Sequence, residues 1–223
     1  MATISGLINA RLRSTRLPQK LIRPFAGTTL IDIALEKLNQ MDFFEHRYFG
    51  AAEKELTSRS SKFKNIELLQ REMASVEPGY NEHSVIYAHY EKIQSDYICW
   101  INPCHALLSI DTLKRACEHV QETLHNSYTS VIPTRDWIFS AEGESITNTS
   151  DIVSTNHSPI FYRVAHGFHI FRKDRFLREY KPWTMTKNDP AIYEVPTGEA
   201  FDVDTPTDFK IAEMAYLDAK LHK

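Results

Sequence analysis

The sequence predicts an α/β fold in which helices cover both faces of a mostly parallel central sheet. Short apolar runs alternate with stretches of helical period through the first two-thirds of the chain, the pattern of successive βα units. The run Tyr97-Ile-Cys-Trp-Ile101 is apolar throughout, as expected of a strand buried on both faces. A cluster of cations directly follows the first apolar run, where open α/β sheets receive ligands at the carboxyl ends of their strands. At 223 residues, one domain spanning the whole chain is expected, large enough to bury a core without disulfide or metal staples.

Residues 4–8 form the first expected strand. Thr28 or Thr29 can cap the helix over 30–41, where Leu30, Ile31, Ile33, Ala34, Leu35 and Leu38 recur at helical spacing. Residues 47–52 and 65–69 read as strands, separated by a loop or short helix over 53–62. A helix is predicted over 81–93, with an apolar stripe of Val85, Ile86, Ala88, His89 and Ile93. The central strand, 96–102, ends at Pro103. Ser109 or Asp111 can cap a helix running to about residue 125, and a strand follows over 128–132. The polar stretch 136–158 reads as an inserted hairpin or lobe, within an excursion over 136–166 suited to contact a second subunit. A strand over 161–171, a short helix over 173–180 and a loop over 182–190 come next. Short extended pieces at 191–195 and 200–203 precede a final helix over 207–220.

Composition excludes several classes. The net charge of −3 leaves no dominant basic face, so no nucleic-acid partner is expected. Cys99, Cys104 and Cys117 are odd in number and form no CxxC, which reads as reduced thiols rather than a disulfide framework or zinc site. No targeting segment and no apolar stretch of about 20 residues is present, so a cytoplasmic protein without a membrane partner is expected.

Two motifs carry most of the chemistry. In Asn9-Ala-Arg-Leu-Arg-Ser-Thr-Arg-Leu-Pro-Gln-Lys20, Arg11, Arg13, Arg16 and Lys20 lie between a strand and a helix. Such a loop offers backbone N–H groups and guanidinium forks to a polyphosphate. It has neither GxGxxG nor GxxxxGK[ST], so side-chain cations must replace a glycine-lined cradle. In Asp202-Val-Asp204, an extended backbone would project both carboxylates to one face and turn Val203 inward. A hard cation such as Mg²⁺ relieves their repulsion and can bridge to phosphates. The competing reading is that one of these aspartates, Thr205 or Asp208 caps the final helix.

Other candidates are weaker. Asn102-Pro-Cys-His105 lies at the carboxyl end of the central strand, where ligand contact is favoured. A Cys104 nucleophile with a His105 base has no orienting third group in view. His166 and His169, three apart in a strand, should face opposite sides. Arg163 suits a carboxylate or a surface ion pair, and Phe161, Tyr162, Phe168 and Phe171 suit packing.

Taken together, residues 10–20, Gly27-Thr-Thr-Leu-Ile31, Ile101-Asn-Pro-Cys-His-Ala-Leu107, Tyr162-Arg-Val-Ala-His-Gly167 and Asp202-Val-Asp-Thr-Pro-Thr-Asp-Phe209 resemble the cytidylyltransferases that activate acidic 2-keto-3-deoxy sugars. These are the CMP-sialic acid and related CMP-nonulosonate synthetases and the CMP-3-deoxy-manno-octulosonate synthetases. The resemblance implies a three-layer αβα nucleotide-diphospho-sugar transferase-like fold, a homodimer, and a Mg²⁺-dependent reaction of CTP with an acidic 2-keto sugar. It implies CTP contacts from Asn9, Ala10, Arg11, Ser14, Arg16, Lys20, Arg71, Asn102 and Pro103, with Ala10 and Arg71 near cytosine and ribose. Arg11, Lys20 and Asp204 would be catalytic, Asp202 and Asp204 would hold Mg²⁺, and Arg163 and His166 would face the sugar. Cys104-His105 replaces a Thr-Ser pair and His166 an asparagine. The first loop follows the octulosonate enzymes and certain spore-coat polysaccharide proteins, whereas the middle of the chain, lacking a GDEP-like segment, follows the nonulosonate branch. A non-catalytic homologue acting as a binding partner is the reading outside enzymology, and retention of both motifs counts against it.

Overall fold

The computed structural model describes residues 1–147 and 153–222. Seven strands form one sheet: β1 Ile4–Asn9, β2 Arg47–Ala51, β3 Glu67–Gln70, β4 Tyr97–Ile101, β5 Ser127–Thr134, β6 Phe161–Arg172 and β7 Ala191–Glu194. Their order is β3-β2-β1-β4-β6-β5-β7. β1, β2, β3 and β4 run parallel, β6 is antiparallel to both β4 and β5, and β7 is parallel to β5. The chain moves outward from β1 through β2 to β3, then returns to place β4 on the other flank of β1. That reversal makes the carboxyl ends of β1 and β4 the topological switch point, where a crevice opens.

Among the described residues six α-helices accompany the sheet: α1 Leu30–Gln40, α2 Lys54–Ser60, α3 His83–Ile86, α4 Ile110–Thr123, α5 Lys173–Glu179 and α6 Pro206–Leu221. Alternation along the strands divides the core between two faces. Ile4 and Ile8 of β1 join Leu30, Ile31, Leu35 and Leu38 of α1, Leu113 and Val120 of α4 and Ala212 of α6. Leu7 and Ile98 point the other way, onto Tyr90, Ile93 and Phe176. The architecture is therefore α/β in three layers, with one of the two helical layers built of short helices. Among the described residues no helix is long and apolar enough to cross a membrane.

Several local expectations change. Residues 81–93 do not form one helix: α3 stops after one turn at Ile86, and Ala88–Lys92 is a 3-10 helix. Ala88 is exposed, whereas His89 and Tyr90 are buried, so the tighter winding moves the stripe by one residue. The third strand begins at Glu67 rather than at residue 65, because pairing with β2 starts at Tyr48↔Glu67. Residues 200–203 are irregular and join no strand. The central strand β4 is parallel to β1 alone. Thr29 and Ser109 cap α1 and α4, accepting from Asp32 N and Thr112 N. In the 136–166 excursion, Phe139 and Ser145 bridge across a tight turn. The Asn148-Thr-Ser-Asp151 run lies outside the described residues.

Candidate active site

The cationic loop starts where β1 ends. Ala10 N donates to Gly50 O at 2.9 Å, Leu12 N to Glu53 Oε1 at 2.9 Å, and Gln19 N to Leu12 O at 3.0 Å. Leu17 is buried beneath the loop, so the backbone is pinned by one apolar residue and the end of β2. Arg11 and Arg16 are exposed and Lys20 is half-buried. Arg13 leaves the group, pairing with Glu77 across the crevice.

The opposite end of the sequence meets this loop. Thr205 is the N-cap of α6 and forms a capping box with Asp208, which satisfies the first-turn N–H groups. Asp202 and Asp204 are thereby released from capping. Val203 is fully buried, as the alternation requires. Lys20 Nζ donates to Val203 O at 2.5 Å and to Asp204 Oδ1 at 3.0 Å, and Arg16 Nη1 lies 2.7 Å from Asp204 Oδ2. Burial alone would lower the Lys20 pKa, but Cys104 and Asp204 offset this and raise it. Asp202 accepts from Asn102 Nδ2 at 3.3 Å. Burial, then the neighbouring Asp204, raises its pKa. No third histidine, cysteine or carboxylate completes a protein-only metal cage among the described residues.

Two cavities open at the switch point. One, of about 190 Å³, is lined by Arg11, Ser14, Arg16, Lys20, Asn102 and Pro103. The other, of about 440 Å³, is lined by Ala10, Arg71 and an aromatic wall including Tyr80, Tyr87, Tyr90 and Trp100. Asn9, Arg11 and Trp100 border both. Asn9 is held rigidly: its Nδ2 donates to Tyr90 Oη at 2.7 Å and its Oδ1 lies 2.9 Å from His89 Nε2. Gly50 makes this possible, since a Cβ there would sit 2.2 Å from Asn9 Oδ1. Arg71 Nη2 donates to Ser75 O at 3.2 Å while its Nη1 lies 3.5 Å from Ala10 O. Burial lowers its pKa.

Cys104 is not an activated nucleophile. Burial pushes its thiol up to about 11, with Lys20 only partly opposing, so the thiolate that attack requires is scarce. His105 is buried and its pKa falls to about 4, chiefly through desolvation.

His166 and His169 do not face opposite sides; their rings are 5.7 Å apart in a T-shaped contact. Between Thr129↔His169 and Val131↔Val164 the β6 strand carries extra residues, and His166 adopts a left-handed φ of 57°. This bulge breaks the two-residue period. His169 Nδ1 lies 2.8 Å from Thr129 Oγ1, and its ring stacks on Trp100 with centroids 5.4 Å apart. Desolvation lowers its pKa to about 3. Arg163 is exposed on β6 and borders neither cavity.

Sequence reasoning missed the aromatic wall. Tyr80, Tyr87 and Tyr90 lie between β3 and β4, Trp100 on β4 and His169 on β6, and only the apolar Trp100 in a strand expected to end at Asn102 hinted at it.

Residues 5–221 match the sequence profile of the cytidylyltransferases. No curated protein sequence is significantly similar to the chain. Among solved structures, CMP:2-keto-3-deoxy-manno-octonic acid synthetase complexed with CTP is similar at 12% identity and a TM-score of 0.66, covering 99% of this chain and 100% of that one. The 4-diphosphocytidyl-2C-methyl-D-erythritol synthase of Anaerococcus prevotii is similar at 11% identity and a TM-score of 0.69, over 97% and 96% of the two chains. The bifunctional IspDF of Campylobacter jejuni is similar at 14% identity and a TM-score of 0.65, over 94% of this chain and 54% of that one. These likenesses agree in fold with the sheet described above, and the profile match spans almost the entire chain: it belongs to the cytidylyltransferase family.

Proposed function

We propose that the protein transfers CMP from CTP to the anomeric hydroxyl of an acidic 2-keto-3-deoxy sugar, a nonulosonate such as sialic, legionaminic or pseudaminic acid, and releases pyrophosphate for surface glycan synthesis. The observation carrying this reading is the convergence of Arg16 and Lys20 on Asp204, which joins the cationic loop to the aspartate pair at one switch point. The triphosphate occupies the smaller cavity, against Arg11, Ser14, Arg16 and Lys20, with Asn102 and Pro103 closing its far side. Cytosine and ribose lie by Ala10 and Arg71 in the aromatic cavity. Arg163 and His166 approach the sugar; the exposure of Arg163 suits a group that meets its ligand at the rim.

The aspartate pair fits Mg²⁺. Two carboxylates without a third protein ligand match a cation that keeps waters and takes its remaining ligands from phosphates. Burial, then repulsion from Asp204, raises the Asp202 pKa, and a cation would relieve the repulsion. When bound, Mg²⁺ would neutralise charge on the phosphates. The sugar hydroxyl attacks the α-phosphorus in line, its new P–O bond forming as the bond to pyrophosphate breaks and its proton passing to solvent. Arg11 and Lys20 stabilise charge on the departing group, and positioning supplies much of the rate. Exposed Phe139 and Ile146 in the 136–166 excursion support pairing of two chains there. The octulosonate-style first loop favours 3-deoxy-manno-octulosonate as the second acceptor to try.

The test is pyrophosphate release from CTP with sialic, legionaminic, pseudaminic and octulosonic acids, with and without Mg²⁺. Release with one nonulosonate, abolished in Asp204→Ala and Arg11→Ala, is expected. Full activity in either variant overturns the site, and release only with octulosonate overturns the acceptor.

A further inference from the structure

His105 is buried, and neither ring nitrogen makes a hydrogen bond of good geometry among the described residues, although the Glu199 backbone lies near the ring. Such a group is costly to bury, so its place at the end of β4 needs a reason. Its side chain is fully covered, and Nε2 points at Asp202 Oδ1 from 3.6 Å, just beyond hydrogen-bond reach. The same oxygen accepts from Asn102 Nδ2 at 3.3 Å. The turn that carries both donors is fixed: Asn102 Oδ1 accepts from Cys104 N at 3.0 Å, and Asn102 O from His105 N at 3.3 Å. The first of these bonds orients the Asn102 amide so that its NH₂ faces Asp202. Asn102 Nδ2 and, in its Nε2–H tautomer, His105 thus converge from one turn on a single carboxylate oxygen.

We infer that His105 is a positioning residue: with Asn102 it pins Asp202 Oδ1, holding the carboxylate's rotation so that the other oxygen is presented to the cation. The inference rests on the proposed metal role of the Asp202–Asp204 pair. Residues that orient metal-binding carboxylates typically change metal affinity 10–100-fold when removed. His105 touches neither cavity, so its effect should reach the nucleotide only through Asp202.

The experiment titrates Mn²⁺ into wild-type protein, Asp202→Asn, His105→Gln and His105→Phe, following loss of the free Mn²⁺ paramagnetic resonance signal. Metal-free CTP binding is measured by calorimetry on each. In His105→Phe, Mn²⁺ affinity should fall about tenfold with metal-free CTP binding unchanged. His105→Gln, whose amide nitrogen can take the place of Nε2, should recover most of it. Unchanged Mn²⁺ affinity in His105→Phe beside loss in Asp202→Asn overturns the role of His105 and leaves the metal pair standing. Equal Mn²⁺ affinity in Asp202→Asn and wild type, or none in wild type, overturns the metal reading itself. If His105→Phe does not fold, His105→Asn, too short to reach Asp202, takes its place with the same criteria.

Discussion

The two cavities at the switch point share Asn9, Arg11 and Trp100 but are built differently. The smaller draws most of its charge from one stretch of ten residues, from Arg11 to Lys20, and two of its cations, Arg16 and Lys20, are held by ion pairs. The larger is assembled from β1, β4, β6, α5 and the segment between β3 and β4, and its walls are mostly aromatic rings, with the buried, uncharged imidazole of His169 among them. Charge serves one side and shape the other. The contrast separates how a ligand is held by its phosphates from how the rest of it is chosen.

The contrast can be broken first by acid. Burial, aided by nearby cations or histidines, holds His89 at about 3, His105 at about 4 and His169 at about 3. The unfolded chain takes up protons on all three as pH falls through 6.5, while the folded protein does not until pH 3–4. Their stabilising contribution is therefore full above pH 6.5 and is lost progressively below it. Between pH 7 and 5 the loss is about 2 kcal/mol per histidine, roughly 6 kcal/mol in all. Thermal melts across this range should show a steep fall in Tm; a flat profile would mean that the imidazoles are charged in the folded state.

Lys20→Ala removes the buried end of the cationic side. A rate loss of about 10²–10³-fold is expected, read as initial pyrophosphate release, with CD melts checking that the fold survives. A loss below tenfold would make Lys20 a structural tie to Val203 O instead. Trp100→Ala tests the shared wall. Removal of a stacking surface costs about 1–3 kcal/mol, so calorimetry should show CTP binding weakened about 10–100-fold. Unchanged affinity would move the base away from the aromatic cavity. The smallest effect belongs to Arg13→Ala, because the Arg13–Glu77 pair is 56% and 39% exposed. Such pairs contribute about 0–1 kcal/mol, so chemical denaturation should barely register it, and a large shift would make the pair a structural clasp over the crevice.

The same division explains what was legible in the sequence. The cationic loop, the aspartate pair and the alternation of β1 and β4 are local patterns, visible in residue spacing without knowledge of the fold. The aromatic wall is a product of topology: Tyr90 meets β1 as the chain returns after β3, and His169 meets Trp100 because β6 pairs antiparallel with β4. Periodicity failed where the backbone left its period, at the 3-10 helix over Ala88–Lys92 and at the β6 bulge that turned His166 beside His169. The split of α3 was hidden for a related reason, since Asn9 and Tyr48 recruit His89, Tyr90 and Gln94 through long-range hydrogen bonds.

The ion pairs of Arg16 and Lys20 with Asp204 have a consequence for entry of an anion. The loop does not wait as bare positive charge; the protein supplies its own counter-charge, and an arriving phosphate must exchange with a carboxylate already in place. Exchange of one anion for another releases fewer bound salt ions than neutralising open cations would. Affinity at this loop should therefore depend on ionic strength less steeply than a count of its four cations suggests.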